Sequence, residues 1–419
     1  MQKCKIGGLD QQLQCPLMKI YFESYGCTLN RAEAGLYVNR MLEQDNELVS
    51  RPEEADLSII GTCVVIKHTE DRMMKRIQEL SSLSKVRVTG CLPPISGGTL
   101  ESENIEIIKP REIRSFYQGY LDDVEIREPS VFEGIPINQG CTGSCNYCIS
   151  HMARGKLVSR PVQKIVSQAM MQIERGIMEV RISSLDTAAY GRDLGIRLPE
   201  LVDAITGIQG DFRLRIGMME PRNTTDIMDH LMRSMRSEKV FKFLHVPVQS
   251  GDDRILDLMN REYHAHEFRH ISETFHRNFP DSTLSTDIIT GYHDEDEDSH
   301  ELTMKLLQEV RPEIVNITRF SPRPYTPDFG SAVPPSNMVK RRARELTDLH
   351  HEIIQERLAS LHGRVEKAMV TEKGRNSTVV ARDDAYRPIV IKGEYPIYSK
   401  ISVEIVDSGP TYLAGKVIS

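Results

Sequence analysis

The residues with the most chemical capacity form one short stretch, Gly140-Cys141-Thr142-Gly143-Ser144-Cys145-Asn146-Tyr147-Cys148. It holds three of the eight cysteines in C-x3-C-x2-C spacing. A cubane iron–sulfur cluster ordinarily takes four thiolates. Three close cysteines hold three irons and leave the fourth open to a small chelating ligand, so the stretch points to chemistry as well as electron storage. A cluster is the favoured reading. Zinc is an alternative, since a tetrahedral site needs a fourth ligand and His151 stands three residues on. Cysteines that are merely structural are the third reading.

Three other cysteines are dispersed, yet share a position relative to the elements around them. Strands are expected at 19–24, 55–60 and 85–89, with helices at 30–42 (capped by Asn30) and 69–83. Strands alternating with helices imply a parallel sheet. Cys27, Cys63 and Cys91 each lie within about three residues of a strand end. In a parallel sheet those ends share one edge, where open α/β sheets bind ligands. Glycine directly precedes Cys27 and Cys91 and lies two before Cys63. That suits close approach of backbone to a bulky group. Convergence on a second cluster is expected; the alternative is three buried small hydrophobes.

The bulk numbers are compatible with both sites. At 419 residues and 39% hydrophobic content the chain can build two or three cores. Its formal charge of −7 excludes a polybasic protein but not a local RNA-binding patch. No apolar run is long enough for a membrane span. Residues 1–17 lack the apolar core of a signal peptide and read as a disordered lead, with Met18 as an alternative start. Eight cysteines without a secretory signal read as ligands rather than disulfides and fit a reducing, cytoplasmic compartment. The acidic run at 293–300 reads as a solvated helix start.

A connector with a helical piece near 113–119 leads to a second α/β run. Its strands are expected near 135–138, 179–183, 212–217, 241–246, 283–289 and 314–318, with helices between. Six such units fall short of a closed eight-stranded barrel, so a partial, open barrel is expected. Its site should lie at the C-terminal strand ends. A proline-rich loop at 321–335 and a long charged helix at 338–361 follow. After Gly363 the pattern becomes four short alternating strands, a small all-β barrel of a kind that often binds single-stranded nucleic acid. The fold class is thus α/β: an open parallel sheet domain (18–128), a partial (βα)6 barrel (134–357) and a terminal β-barrel (358–419).

These motifs resemble the radical S-adenosylmethionine methylthiotransferases over nearly the whole chain from Met18. C-x3-C-x2-C is similar to that family's radical signature. Ser24-Tyr-Gly-Cys27-Thr-Leu-Asn30, Gly61-Thr-Cys63 and Gly90-Cys91-Leu-Pro93 resemble its auxiliary-cluster motifs. Ala153-Arg154-Gly155, the run from Leu244 to Gly251 and Arg319-Phe-Ser-Pro-Arg323-Pro324 match as well, and the terminal barrel resembles the TRAM domain. Asp186-Thr-Ala-Ala-Tyr-Gly191, Gly217-Met-Met219 and Gln249-Ser-Gly-Asp-Asp253 are similar to the branch that acts on threonylcarbamoyladenosine in tRNA. There are two departures. The family commonly reads Gly-Phe-Pro-Gly-Glu-Thr after the fifth strand, where this chain has Gly291-Tyr292-His293-Asp294-Glu295-Asp296. Tyr325 stands where the family usually has glycine.

The resemblance implies two [4Fe-4S] clusters, on Cys141, Cys145 and Cys148 and on Cys27, Cys63 and Cys91. It implies S-adenosylmethionine at the first, cleaved to a 5′-deoxyadenosyl radical that activates the adenine C2–H, and a 2-methylthio product at tRNA position 37. Asp186, Arg215, Glu220, Gln249, Ser250 and Arg323 are expected to contact the cofactor, with turn capping and salt bridges as the alternative. Asp287, in the fifth strand, is a weaker candidate of the same kind, while Arg154 and Arg160 are candidate substrate contacts with a solvated position as the alternative. His245 is expected to be a hydrogen-bonded strand residue. Arg375, Arg382 and Lys392 are candidate RNA contacts. The implied partner is a tRNA anticodon stem-loop, met by a monomer away from membranes; sulfur and electron donors are not specified. Another tRNA adenosine, or a ribosomal-protein aspartate, is the alternative substrate. A zinc-bearing RNA-binding protein is the non-enzymatic alternative.

Overall fold

A computed structural model describes residues 17–96, 100, 102–108, 127–128 and 134–418. The lead at 1–17, apart from Leu17, and the helical piece near 113–119 lie outside the described residues. The chain divides into two compact units, 1–133 and 134–419.

In the first unit, β1 (Lys19–Ser24), α1 (Thr28–Leu42), β2 (Glu47–Val49), β3 (Leu57–Thr62), α2 (Lys67–Ser81), β4 (Lys85–Gly90) and β5 (Ile105–Ile107) alternate. All five strands run parallel in the order β2-β1-β3-β4-β5. β3 is buried along its length, as expected of a central parallel strand covered on both faces. Ile20, Leu57 and Ile59 pack on Val38 and Met41 of α1. The short edge strands β2 and β5 are too brief to show a period of two in sequence. Asn30 is not the cap expected of it: α1 begins at Thr28 with Cys27 at its N-cap. Asn30 lies buried in the first turn, where its amide donates to Thr62 O at 3.0 Å.

The second unit opens with β6 (Ile135–Pro136) and the antiparallel pair β7 (Asn138–Gln139) and β8 (Val158–Ser159), which brackets the cysteine loop and α3 (Ile149–Arg154). There follow α4 (Val162–Glu174), β9 (Glu179–Ser183), α5 (Leu198–Thr206), β10 (Arg213–Ile216), α6 (Pro221–Thr225), α7 (Met228–Ser234) and β11 (Phe243–His245). Next come α8 (Asp253–Leu258), α9 (Ala265–Asn278), β12 (Thr283–Thr290), α10 (Glu297–Val310) and β13 (Ile314–Arg319). The parallel sheets β6-β9-β10 and β11-β12-β13 are joined by one bridge, Leu214 to Val240. The six strands therefore run in chain order as a partial barrel. Asp294 takes φ +60 in the loop after β12, a left-handed conformation that aspartate tolerates better than most residues. Asp296 caps α10 by accepting from Ser299 N at 2.9 Å.

The long helix α11 (Ser336–Ala359) leads into a closed five-stranded barrel, β14 (Val365–Lys373), β15 (Thr378–Arg382), β16 (Pro388–Lys392), β17 (Lys400–Ser408) and β18 (Leu413–Ile418), ordered β14-β15-β16-β18-β17. The fifth strand, β18, is missing from the sequence expectation. Gly415 at its centre breaks the alternation, and a Cβ there would lie 2.2 Å from a methyl of Val403. Ile354, Leu358 and Leu361, from α11 and just beyond it, complete the terminal barrel's core.

Candidate active site and metal centre

Cys27, Cys63 and Cys91 follow β1, β3 and β4, three strands adjacent in the sheet, at their C-terminal ends. Cys27 is exposed, Cys63 half-buried and Cys91 buried. Burial pushes the Cys63 thiol up to about 11, and the charges of Cys91 and Cys27 add to the rise. Gly26 has φ +98, and a Cβ on it would lie 2.7 Å from Cys63 Cβ. Only glycine lets the backbone carrying Cys27 approach Cys63 so closely. The Cys91 thiol donates to Asn30 Oδ1 at 3.5 Å. A convergent, thiol-only donor set suits soft metal centres, iron–sulfur or zinc, and a bound cation would be needed to draw off the protons.

The second sulfur set sits on the loop from Gly140 to Cys148. Gly140 has φ +75, and a Cβ there would lie 2.1 Å from Lys156 O. Cys141 N bonds to Gly155 O at 3.1 Å, which ties the start of the loop to the chain leaving α3. Gly143 N donates to Cys141 Sγ at 3.3 Å. A Cβ on Gly143 would lie 3.6 and 3.7 Å from the sulfurs of Cys141 and Cys145, so glycine keeps the space between them open. Cys148 caps α3, where the amides of His151 and Ser150 face its sulfur. Burial, then the charge of Asp186, pushes the Cys141 thiol up to about 12. The three thiols and the open space at Gly143 fit a cluster held from one side.

Other elements fix this loop. Asn146 N bonds to Met259 O at 3.0 Å and its side chain donates to Leu258 O at 2.9 Å. Asn260 donates to Ser144 O at 2.8 Å. Arg261 places Nη1 3.0 Å from Cys145 Sγ, and its guanidinium lies over the rings of Tyr147 and Tyr263. Asn223 donates to Thr142 Oγ1 at 3.1 Å and to Asp186 Oδ2 at 2.6 Å. Sequence reasoning missed Arg261, Asn223 and Asn260. They are carried by units remote in sequence from the loop, and no local spacing marks them.

The expected cofactor residues divide. Asp186 and Glu220 come together beside the loop: Glu220 N donates to Asp186 Oδ1 at 3.0 Å. Burial raises both carboxyls, and the charge of Asp186 further raises Glu220. Arg323 is buried in the loop after β13, which reaches the cysteine loop through Asp328 N and Asn146 O at 3.3 Å. Gln249 follows β11 with φ +71, a strained backbone where the strand ends. Ser250 accepts from Asp252 N at 3.2 Å and faces Thr303, the turn-capping alternative. Arg215 is elsewhere. Its guanidinium lies over Phe243 and over Tyr386, which the terminal barrel inserts among Phe241 and Phe243. Arg160 is buried, against the solvated alternative, and donates to Pro136 O at 2.8 Å and to Gln168 Oε1 at 2.9 Å. His245 bonds to Asp287 at 3.0 Å. Burial would raise the Asp287 carboxyl, but His245, Asn316 and the charge of Arg261 outweigh it and hold it low.

Comparison with known proteins follows this division. The profile of Uncharacterized protein family UPF0004 matches residues 19–108, that of the Radical SAM superfamily 135–307 and that of the TRAM domain 359–418. A protein of Pyrococcus horikoshii named probable threonylcarbamoyladenosine tRNA methylthiotransferase is 33% identical over 96% of this chain and all of its own length. One of Archaeoglobus fulgidus with the same name is 35% identical over 96% of this chain and 99% of its own. The threonylcarbamoyladenosine tRNA methylthiotransferase of Xenopus laevis is 29% identical over 96% of this chain and 77% of its own. In fold, the chain is similar to the radical S-adenosylmethionine methyltransferase TsrM of Kitasatospora setae, solved with cobalamin and a [4Fe-4S] cluster. The TM-score is 0.55 at 10% identity, over 85% of this chain and 81% of that one.

Proposed function

The chain belongs to the threonylcarbamoyladenosine tRNA methylthiotransferase family, and from that premise we propose that it methylthiolates C2 of N6-threonylcarbamoyladenosine at tRNA position 37. It is a radical S-adenosylmethionine transferase. Cys141, Cys145 and Cys148 hold one [4Fe-4S] cluster in this reading, and Cys27, Cys63 and Cys91 hold a second. The observation that carries it is the convergence of three thiols at the strand ends of the first unit, in a chain that already has a three-cysteine loop.

With S-adenosylmethionine, the clusters supply one-electron chemistry able to activate an adenine C2–H that acid–base catalysis does not easily reach. The chain's own residues do the positioning. Gly143 leaves room between two sulfurs, and Arg261 sets a cation on Cys145. Asn223 holds Thr142 and Asp186 in register, and Asn146 and Asn260 lock the loop to the turn after α8. Position 37 lies beside the anticodon, so the protein engages the anticodon stem-loop, acting as a cytoplasmic monomer. Among the described residues no helix is long and apolar enough to cross a membrane. The test is mass spectrometry of tRNA nucleosides from cells with and without this protein. The 2-methylthio nucleoside is expected only when the protein is present; unchanged levels overturn the substrate assignment.

A further inference from the structure

The loop after β13 exposes two large aromatic side chains beside the cysteine loop. Tyr325 is 61% exposed and Phe329 62%. The segment carrying them is held firmly. Asp328 N bonds to Asn146 O at 3.3 Å, and Asn146 lies between Cys145 and Cys148. The Asp328 carboxylate accepts from Tyr292 Oη at 2.5 Å and faces His293 Nε2 at 3.3 Å. Thr326 Oγ1 donates to Arg323 O at 2.7 Å, and Phe329 N to Thr326 O at 3.0 Å. Arg323, Thr326 and Asp328 are buried, while the two rings project from the same turn into solvent.

This arrangement opposes two ordinary tendencies. An exposed aromatic forgoes the burial that usually recovers its cost. Tyr325 also sits at φ +67, the left-handed region that a bulky side chain rarely adopts. Strained backbone persists only where its surroundings enforce it, and it clusters at sites that bind something. A flat ring presented by a rigid turn suits another flat ring. Unpaired nucleobases stack on such platforms whatever their sequence. Enzymes that work on a base must also take it out of its stack, which leaves its neighbours without partners.

We propose that Tyr325 and Phe329 form a base-stacking site that receives the unpaired nucleobases flanking the target adenosine. The site rests on the reading of an RNA substrate. It fixes the strand beside the cysteine loop by shape, without reading sequence.

The chain contains no tryptophan, so Phe329→Trp creates a single fluorophore at the site. The probe is a synthetic RNA stem-loop with threonylcarbamoyladenosine in its loop. Its addition is expected to quench the tryptophan emission. Tyr325→Ala and Phe329→Leu are each expected to weaken binding of this RNA by about 5- to 100-fold, while Tyr325→Phe and Phe329→Tyr retain it. Unchanged emission at saturating RNA, or unchanged affinity in the alanine and leucine variants, overturns the stacking site and leaves the substrate reading intact. Failure of the unsubstituted protein to bind the RNA overturns both.

Discussion

Cys145 and Cys63 belong to sulfur sets with different surroundings. Cys145 has a guanidinium at 3.0 Å, whereas the groups acting on Cys63 are burial, the other two thiols and the amides of Val64 and Val65. Serine replaces either sulfur with little change in volume, so both variants should fold. With two clusters the protein is expected to carry about eight irons, falling to about four in Cys63→Ser. That variant should still cleave S-adenosylmethionine but form no methylthio product; Cys145→Ser should abolish cleavage itself. Iron analysis with separate assays of 5′-deoxyadenosine and of modified nucleoside checks this. Persistent 5′-deoxyadenosine formation by Cys145→Ser would refute the assignment. The placement of the six sulfurs, on one loop and at three adjacent strand ends, was legible because each is marked locally. Arg261 was not. It lies 116 residues from Cys145 in sequence, and only the folding of the barrel joins them.

Elements with a repeating pattern were legible in the same way. The barrel strands and the long helix were anticipated because period and length agree over whole segments. β2, β5 and β18 were not, being short or interrupted by glycine. The docking of the terminal barrel was also hidden, because it joins residues far apart in sequence: Tyr386, Met369 and Tyr398 pack with Phe241 and Phe243, and Arg387 pairs with Asp281. Tyr386 packs edge-on to Phe241 at 4.8 Å and donates to Glu179 Oε1 at 2.6 Å. Arg181 bonds the same carboxylate through Nε at 2.6 Å and Nη2 at 2.9 Å. Burial alone would raise the Glu179 carboxyl, but Arg181 and Tyr386 together hold it below the usual value. Tyr386→Phe keeps the ring and removes one bond to a buried charge, a cost of about 1.5–3 kcal/mol. A carboxyl lowered by folding stabilises above its unfolded pKa of about 4.3, and that contribution disappears as pH falls through the folded value. Thermal unfolding at neutral pH should show the full deficit of Tyr386→Phe, shrinking in acid. A deficit independent of pH would mean that the hydroxyl does not act through Glu179.

At the scale of the whole molecule, charge and architecture constrain how RNA is held. A chain of net charge −7 repels a polyanion on average, so affinity must come from local cations and from stacking. Of the basic residues expected to serve on the terminal barrel, Arg382 bonds to Glu372 and covers the Tyr386 ring, so it already serves the docked interface. Arg375 and Lys392 are exposed. Removing the barrel would not isolate its contribution. Its core is completed by Ile354 and Leu358 of α11, and its Tyr386 covers Phe241 and Phe243, so truncation would open two apolar surfaces at once. Substitution is the cleaner probe. Each phosphate that loses its protein cation should flatten the slope of log affinity against log salt by about 0.7–0.9. Arg375→Ala with Lys392→Ala should therefore reduce the slope by roughly 1.4–1.8, measured by tRNA titration across a range of salt. The stacking variants Tyr325→Ala and Phe329→Leu should shift affinity and leave the slope alone, because a ring releases no counterions. If the double substitution leaves the slope unchanged, the terminal barrel does not hold RNA through these two cations.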